Sequence, residues 1–67
     1  MMSVILYTTH CPKCNVLKAK LDEKQIWYDT IDDVSIMQEK GLMMAPMLEV
    51  NGELMDFKQA VDWVNKQ

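Results

Sequence analysis

The stretch from Tyr7 to Leu17 reads YTTHCPKCNVL and contains both cysteines of the 67-residue chain and its only histidine. Cys11 and Cys14 are three positions apart, and Pro12 follows the first of them. Proline is favoured at the first position of a helix because its φ angle is already helical and it has no amide hydrogen to leave unpaired. The stretch therefore predicts a helix that begins at Pro12, with Cys11 just before it and Cys14 in its first turn.

This placement predicts a reactive thiol. A sulfur at the start of a helix meets unpaired amide groups and the positive end of the helix dipole, and both favour the thiolate. We expect Lys13 and His10 to add to this field, His10 as a loop residue rather than as a general base. Because the thiolate is the species that attacks disulfides, Cys11 is the predicted nucleophile and Cys14, nearby and less exposed, is the predicted resolving thiol.

Three other uses of the two cysteines were weighed. A zinc site needs about four ligands, whereas the chain offers two thiols and one histidine adjacent to a thiol, so we assign no metal ligands. A structural disulfide would close too small a loop to constrain the chain and would be reduced in the cytoplasm. Binding of an iron–sulfur cluster shared by two copies of the chain stays open as an alternative.

Length and charge narrow the class of protein. The chain has room for a single domain, residues 1–67. Its net charge of −3 and its lack of arginine disfavour a nucleic-acid partner. The first apolar run is too short for an export signal or a membrane span. We therefore expect a cytoplasmic protein without a membrane or nucleic-acid partner, and a monomer.

The apolar pattern predicts the element order β-α-β-α-β-β-α. Asn51-Gly52 between two short apolar runs indicates a hairpin, because both turn positions need a positive φ. Asp56 and Gln59 resemble a capping box before the last helix. The predicted elements are a strand over Ser3–Tyr7, a helix from Pro12 to near Lys24, a strand over Ile26–Ile31, a short helix capped by Asp32 or Asp33 and ended by Gly41, the hairpin strands MLEV and ELM, and a helix with the apolar stripe Phe57, Ala60, Val61 and Val64. A parallel first crossover and an antiparallel hairpin give a four-stranded mixed sheet flanked by helices.

The stretch MMAPMLEV, Met43 to Val50, predicts a second part of the site. A cis bond between Ala45 and Pro46 would make a tight turn and leave the backbone groups of Ala45 free to pair with an extended substrate. The alternative is a trans proline that enters an edge strand. Met43 or Met44 would then form an adaptable docking surface beside the thiols.

Together, YTTHCPKC after a first strand, APMLEVNG before a hairpin and a closing amphipathic helix resemble the glutaredoxins, small members of the thioredoxin fold. The resemblance spans essentially the whole chain. It implies a minimal thioredoxin fold, with Cys11 as nucleophile, Cys14 as resolving thiol and Pro46 as the cis-proline. It also places Met44 and Ala45 in the substrate-binding loop. The implied activity is reduction of protein disulfides or glutathione mixed disulfides, with glutathione as a co-substrate and no bound cofactor.

The chain departs from the glutaredoxin pattern at several positions. Lys13 stands where tyrosine is common, and Thr8 or Thr9 replaces a frequent lysine. The glycine pair that holds the glutamyl end of glutathione is missing, which leaves Asp56 as the candidate contact. This absence is compatible with the NrdH-type redoxins, which resemble glutaredoxins but take electrons from thioredoxin reductase and pass them to ribonucleotide reductase. Both subfamilies stay open, with the general glutaredoxin-like function preferred.

Overall fold

A computed structural model describes residues 3–67; Met1 and Met2, the first residues of the predicted domain, lie outside the described part. The element order is the predicted one. The elements are β1 (Val4–Tyr7), α1 (Pro12–Glu23), β2 (Asp29–Ile31), α2 (Val34–Glu39), β3 (Met47–Val50), β4 (Glu53–Met55) and α3 (Phe57–Asn65). Among residues 3–67, no helix is long and apolar enough to span a membrane.

The strands form one mixed sheet in the order β2-β1-β3-β4. β1 and β2 are parallel, with Leu6 opposite Thr30, whereas β1 and β3 are antiparallel, with Leu6 opposite Leu48. The hairpin from β3 to β4 turns at Asn51 and Gly52, whose φ angles are 52° and 86°. Both angles are positive, as the Asn-Gly pair predicts. The predicted α/β fold class is thus confirmed.

One face of the sheet carries the core. Alternate residues of β1 and β3 point to this face, where α1 and α3 lie side by side across them. The fully or nearly fully buried cluster consists of Val4, Leu6, Leu17, Leu21, Leu48, Val50, Ala60 and Val64. Burying a leucine of this kind contributes about 1.5–3 kcal/mol relative to leaving it exposed. This packing fixes α1, and with it both cysteines, against the sheet.

The opposite face is covered more thinly. Tyr7 is buried there, and its hydroxyl donates to Glu49 at 3.3 Å. The ammonium of Lys40, at the end of α2, lies 5.9 Å from the centre of the Tyr7 ring. Met37 of α2 is buried, but Ile36 in the next position remains 37% exposed. The short helix α2 therefore shields this face only in part.

The second strand is shorter than the predicted range of Ile26 to Ile31, because its first residues end the preceding helix. Gln25 adopts a left-handed φ of 58°, and the amide of Ile26 donates to the carbonyl of Leu21 at 3.0 Å. The amide of Gln25 donates to Asp22, which completes a Schellman motif with glutamine at the usual glycine position. Ile26 thus serves the helix cap, and β2 begins only at Asp29.

Candidate active site

The loop between β1 and α1 is ordered by hydrogen bonds at the carboxyl end of the parallel strand pair. The amide of Thr8 donates to the carbonyl of Ile31 at 3.0 Å and so extends the pairing of β1 with β2. Thr8 is buried, and its hydroxyl accepts the amide of His10 at 2.9 Å. His10 adopts a left-handed φ of 61°, after which Cys11 returns to extended backbone as the N-cap of α1. This loop aims Cys11 at the start of the helix.

The two sulfurs lie together at that helix start. The Sγ atoms of Cys11 and Cys14 are 2.8 Å apart, and both residues are free thiols. The amide of Cys14 donates to Cys11 Sγ at 3.3 Å, so the thiol caps the helix. Cys11 is half-buried, whereas Cys14 is only 1% exposed. A disulfide has an S–S length of about 2.05 Å, so a shift of less than about 1 Å closes the bond.

The environment of the sulfurs favours a thiolate in the pair. Burial raises the pKa of Cys14, but hydrogen bonds with the Cys11 thiol and the Thr8 hydroxyl act in the opposite direction. Backbone hydrogen bonds from Thr9 and Cys11 also lower the pKa, and together they bring it from 9.0 to about 7. Because two sulfurs at 2.8 Å share a proton, the single negative charge belongs to the pair. The sequence assigned the thiolate to Cys11 alone.

The loop before β3 forms the second wall of the site. The Ala45–Pro46 peptide bond is cis, and Pro46 is buried. The carbonyl oxygen of Ala45 lies 4.0 Å from Cys11 Sγ, so this loop faces the thiols. Met43 and Met44 are 96% and 61% exposed. A groove of about 440 Å³ runs beside them, lined by Thr9, Val34, Met37, Gln38, Leu42, Met43, Met44 and Ala45.

His10 has a partner that the sequence did not indicate. Its Nε2 atom lies 3.1 Å from Oδ2 of Asp32, which follows β2. Both side chains are well exposed, at 67% and 63%. Asp32 was predicted as one of two possible caps for α2, but Asp33 is the cap, its carboxylate accepting the amide of Ser35 at 2.8 Å. The expectation that His10 is a loop residue without a fixed partner is therefore corrected.

Lys13 and Asp56 both lie where the two core helices begin. The ammonium of Lys13 is 5.6 Å from the centre of the Phe57 ring, at the first turn of α3. The carboxylate of Asp56 accepts the amide of Gln59 at 2.8 Å, and the Gln59 side chain accepts the amide of Asp56 at 3.1 Å. This is the predicted capping box. Lys13 and Asp56 thus make contacts within the fold, and their roles toward the thiols and glutathione stay predictions.

Thr8 is the site residue that the sequence reading undervalued. It was noted only as one of two threonines that replace a lysine, yet its hydroxyl contacts both the His10 amide and the Cys14 sulfur. Its position directly after an apolar strand and three residues before Cys11 was the available signal. Across residues 3–67, no group of three or more histidine, cysteine or acidic side chains is arranged to hold a metal ion.

Comparison with known proteins bears on the fold. The chain matches no protein-family model and no curated protein sequence. A solved structure that resembles it is a trimeric glutathione transferase of Leishmania, with a TM-score of 0.76 and 22% sequence identity. The likeness covers 97% of this chain and 17% of the transferase chain, so the present chain spans about a sixth of that protein's length.

The chain has a glutaredoxin-like thioredoxin fold. The mixed sheet with a single parallel pair, the helices on both faces and the structural likeness agree on this point. In this thioredoxin-like domain the two cysteines, the cis-proline loop and the β1–α1 loop meet at one end of the sheet. At 22% identity the likeness concerns the fold, and the activity has to be argued from the site.

Proposed function

We propose that the chain is a thiol–disulfide oxidoreductase that reduces protein disulfides or glutathione mixed disulfides through Cys11 and Cys14. The observation that carries the proposal is the dithiol at the start of α1. One sulfur is accessible and caps the helix, and the second is buried 2.8 Å behind it. The pKa of about 7 at Cys14 gives the pair a substantial thiolate fraction at neutral pH.

The reaction proceeds in two exchanges. The thiolate of Cys11 attacks one sulfur of a substrate disulfide, forms a mixed disulfide with it and releases the other substrate sulfur as a thiolate, which takes up a proton. Cys14 then loses its proton and attacks the Cys11 sulfur, which forms the Cys11–Cys14 disulfide and releases the second substrate thiolate. Two electrons pass from the dithiol to the substrate, whose disulfide is reduced to two thiols.

The groove beside the thiols supports an extended, partly apolar substrate. The Ala45 carbonyl faces Cys11 at 4.0 Å, where a backbone amide of a bound substrate would reach it. Met44 lies next to it and is 61% exposed. Flexible thioethers adapt to side chains of different shape, which suits a protein substrate. We assign Met44, Ala45 and Pro46 to substrate binding on this basis.

Two electron donors remain in competition. The activity printed for the structural neighbour uses glutathione, which supports glutathione as co-substrate. The segment after the hairpin, Glu53 to Phe57, lacks a glycine pair, and the Asp56 carboxylate already caps α3. These features favour reduction by thioredoxin reductase, with ribonucleotide reductase as the first protein target to test. The cytoplasmic location and the monomeric state are part of the same proposal.

The first experiment measures which donor reduces the oxidised protein. NADPH consumption is followed with thioredoxin reductase in one cuvette, and with glutathione plus glutathione reductase in a second. We expect turnover with at least one donor, and no turnover for Cys11→Ser with either. The Cys14→Ser variant should carry out the first exchange and accumulate a mixed disulfide that mass spectrometry detects. Retention of disulfide reduction by Cys11→Ser would overturn the proposal.

A further inference from the structure

The residue immediately before the nucleophile has an unusual backbone conformation. His10 has a φ of 61°, in the left-handed region that costs a residue with a Cβ about 1–2 kcal/mol. Such conformations persist where the surrounding structure fixes them, and they often occur at functional sites. The neighbouring Cys11 depends on this conformation, because the turn at His10 directs the chain into the N-cap of α1.

Two hydrogen bonds fix His10. Its amide donates to the Thr8 hydroxyl at 2.9 Å, within its own loop. Its ring Nε2 pairs with Asp32 at 3.1 Å, across to the loop that leaves the neighbouring parallel strand. The second bond connects residues 22 positions apart and ties the nucleophile's loop to the β2–α2 loop. We refer to it as the His10–Asp32 link.

We propose that Asp32 is a positioning residue that, through His10, holds Cys11 at the start of α1. The inference rests on the proposed function and deepens it. With the link intact, Cys11 Sγ stays 3.3 Å from the Cys14 amide and 2.8 Å from its sulfur, where both stabilise a thiolate. With the link broken, the left-handed turn relaxes, the sulfur moves away from these donors, and the reactive thiolate becomes less populated.

The sign of the effect distinguishes positioning from simple electrostatics. Asp32 carries a negative charge, so its removal by itself favours a nearby thiolate and makes Cys11 more reactive. The positioning role predicts the opposite result, a less reactive Cys11. The neighbouring carboxylate of Asp33 is engaged in capping α2, and the Lys13 ammonium lies over Phe57. Removing Asp32 therefore changes the link directly.

The test measures the alkylation rate of Cys11 by iodoacetamide in the fully reduced protein between pH 5 and 9. We expect Asp32→Ala to slow alkylation at pH 7 by about threefold, the scale of an exposed ion pair, and to move the midpoint of the profile upward. Asp32→Asn, which keeps an oxygen acceptor for the ring, should restore most of the rate. Asp29→Ala removes an exposed charge three residues earlier and serves as the electrostatic control, with unchanged or faster alkylation.

A second set of variants tests the same inference from the histidine side. His10→Gly removes the ring but accepts a positive φ without strain, whereas His10→Ala loses the ring and keeps the strain. Both should react more slowly than the wild type, and His10→Ala more slowly than His10→Gly. In the His10→Gly background, Asp32→Ala should have no further effect, because the partner is already missing.

Unchanged or faster alkylation in Asp32→Ala would overturn the inference, and so would additive effects of His10→Gly and Asp32→Ala. If Asp32→Ala does not fold, the comparison of His10→Gly with His10→Asn, which also tolerates a left-handed φ, decides in its place; equal rates in wild type and both variants would overturn the link. Alkylation requires no disulfide substrate. Failure of the wild type in the donor assay would therefore contradict the proposed function without affecting this readout.

Discussion

The two helices that form the core begin in the same way but with different capping groups. At α3, the Asp56 carboxylate accepts the amide of Gln59 at 2.8 Å, and the glutamine side chain returns a second bond. At α1, the corresponding acceptor is the sulfur of Cys11, 3.3 Å from the amide of Cys14. Aspartate is among the preferred N-cap residues, whereas a thiol sulfur is a weak acceptor.

The difference separates stability from chemistry. The α3 cap satisfies two amides with strong oxygen acceptors and so stabilises the fold. The α1 cap leaves its helix start poorly satisfied until the sulfur becomes a thiolate. The unmet demand of the helix start is therefore the force that favours ionisation of the dithiol. Four measurements, from the largest expected effect to the smallest, test this contrast.

The largest effect is expected on activity. Cys11→Ser replaces the nucleophile by a hydroxyl, so disulfide reduction should fall to the background rate. Serine is itself a favoured N-cap, so the midpoint of urea unfolding should not decrease. Activity assays and unfolding curves on the same preparation check both parts. A clear loss of stability would show that the sulfur contributes more to the cap than the comparison holds.

The next effect is a pH dependence of the reduced protein alone. The folded pKa of Cys14, about 7, lies below its ordinary value of 9.0. The resulting stabilisation is fully present above pH 9 and is lost as the pH falls through 7. We expect the free energy of unfolding to rise by about 2 kcal/mol from pH 6 to 9, relative to Cys14→Ser. Urea titrations with a reductant measure it, and a pH-independent difference would contradict the prediction.

A smaller effect is expected at the other helix start. Asp56→Ala removes the carboxylate cap of α3 and should lower the free energy of unfolding by about 1 kcal/mol. Gln59→Ala leaves the carboxylate in place and should cost less, about 0.5 kcal/mol, since it removes one neutral hydrogen bond. Thermal melts of both variants check the order. If Asp56→Ala lowers turnover with glutathione but not with a protein disulfide, the glutathione contact inferred from the family resemblance gains support.

The smallest effect is expected when the strong cap is transferred to α1. Cys11→Asp supplies the acceptor that α3 already has, and should raise the stability of the reduced protein by about 0.5 kcal/mol. The matched comparison is Cys11→Ala, which has no acceptor and should be the least stable of the three caps. An order in which the alanine variant equals the aspartate variant would indicate that the α1 start is satisfied by other groups.

Much of the fold was predictable because its signals are local. The hairpin follows from the positive φ angles that Asn51 and Gly52 accept, and the α3 start from the spacing of Asp56 and Gln59. The spacing of Cys14, Leu17 and Leu21 identified the buried side of α1. The prediction was wrong at Ile26, where the β-branched and aromatic run indicated a strand. The helix needed two residues of that region for its C-terminal cap.

The sequence by itself determined the order of the elements, the dithiol at a helix start and the proline loop before β3, because each depends on residues within a few positions of one another. Only the tertiary structure decided which groups surround the sulfurs. The pairing of His10 with Asp32, the contact of Lys13 with Phe57 and the Ala45 carbonyl facing Cys11 join segments that are far apart in the chain. These contacts exist because the parallel strands and the packed helices bring their ends together, and no local pattern records that geometry.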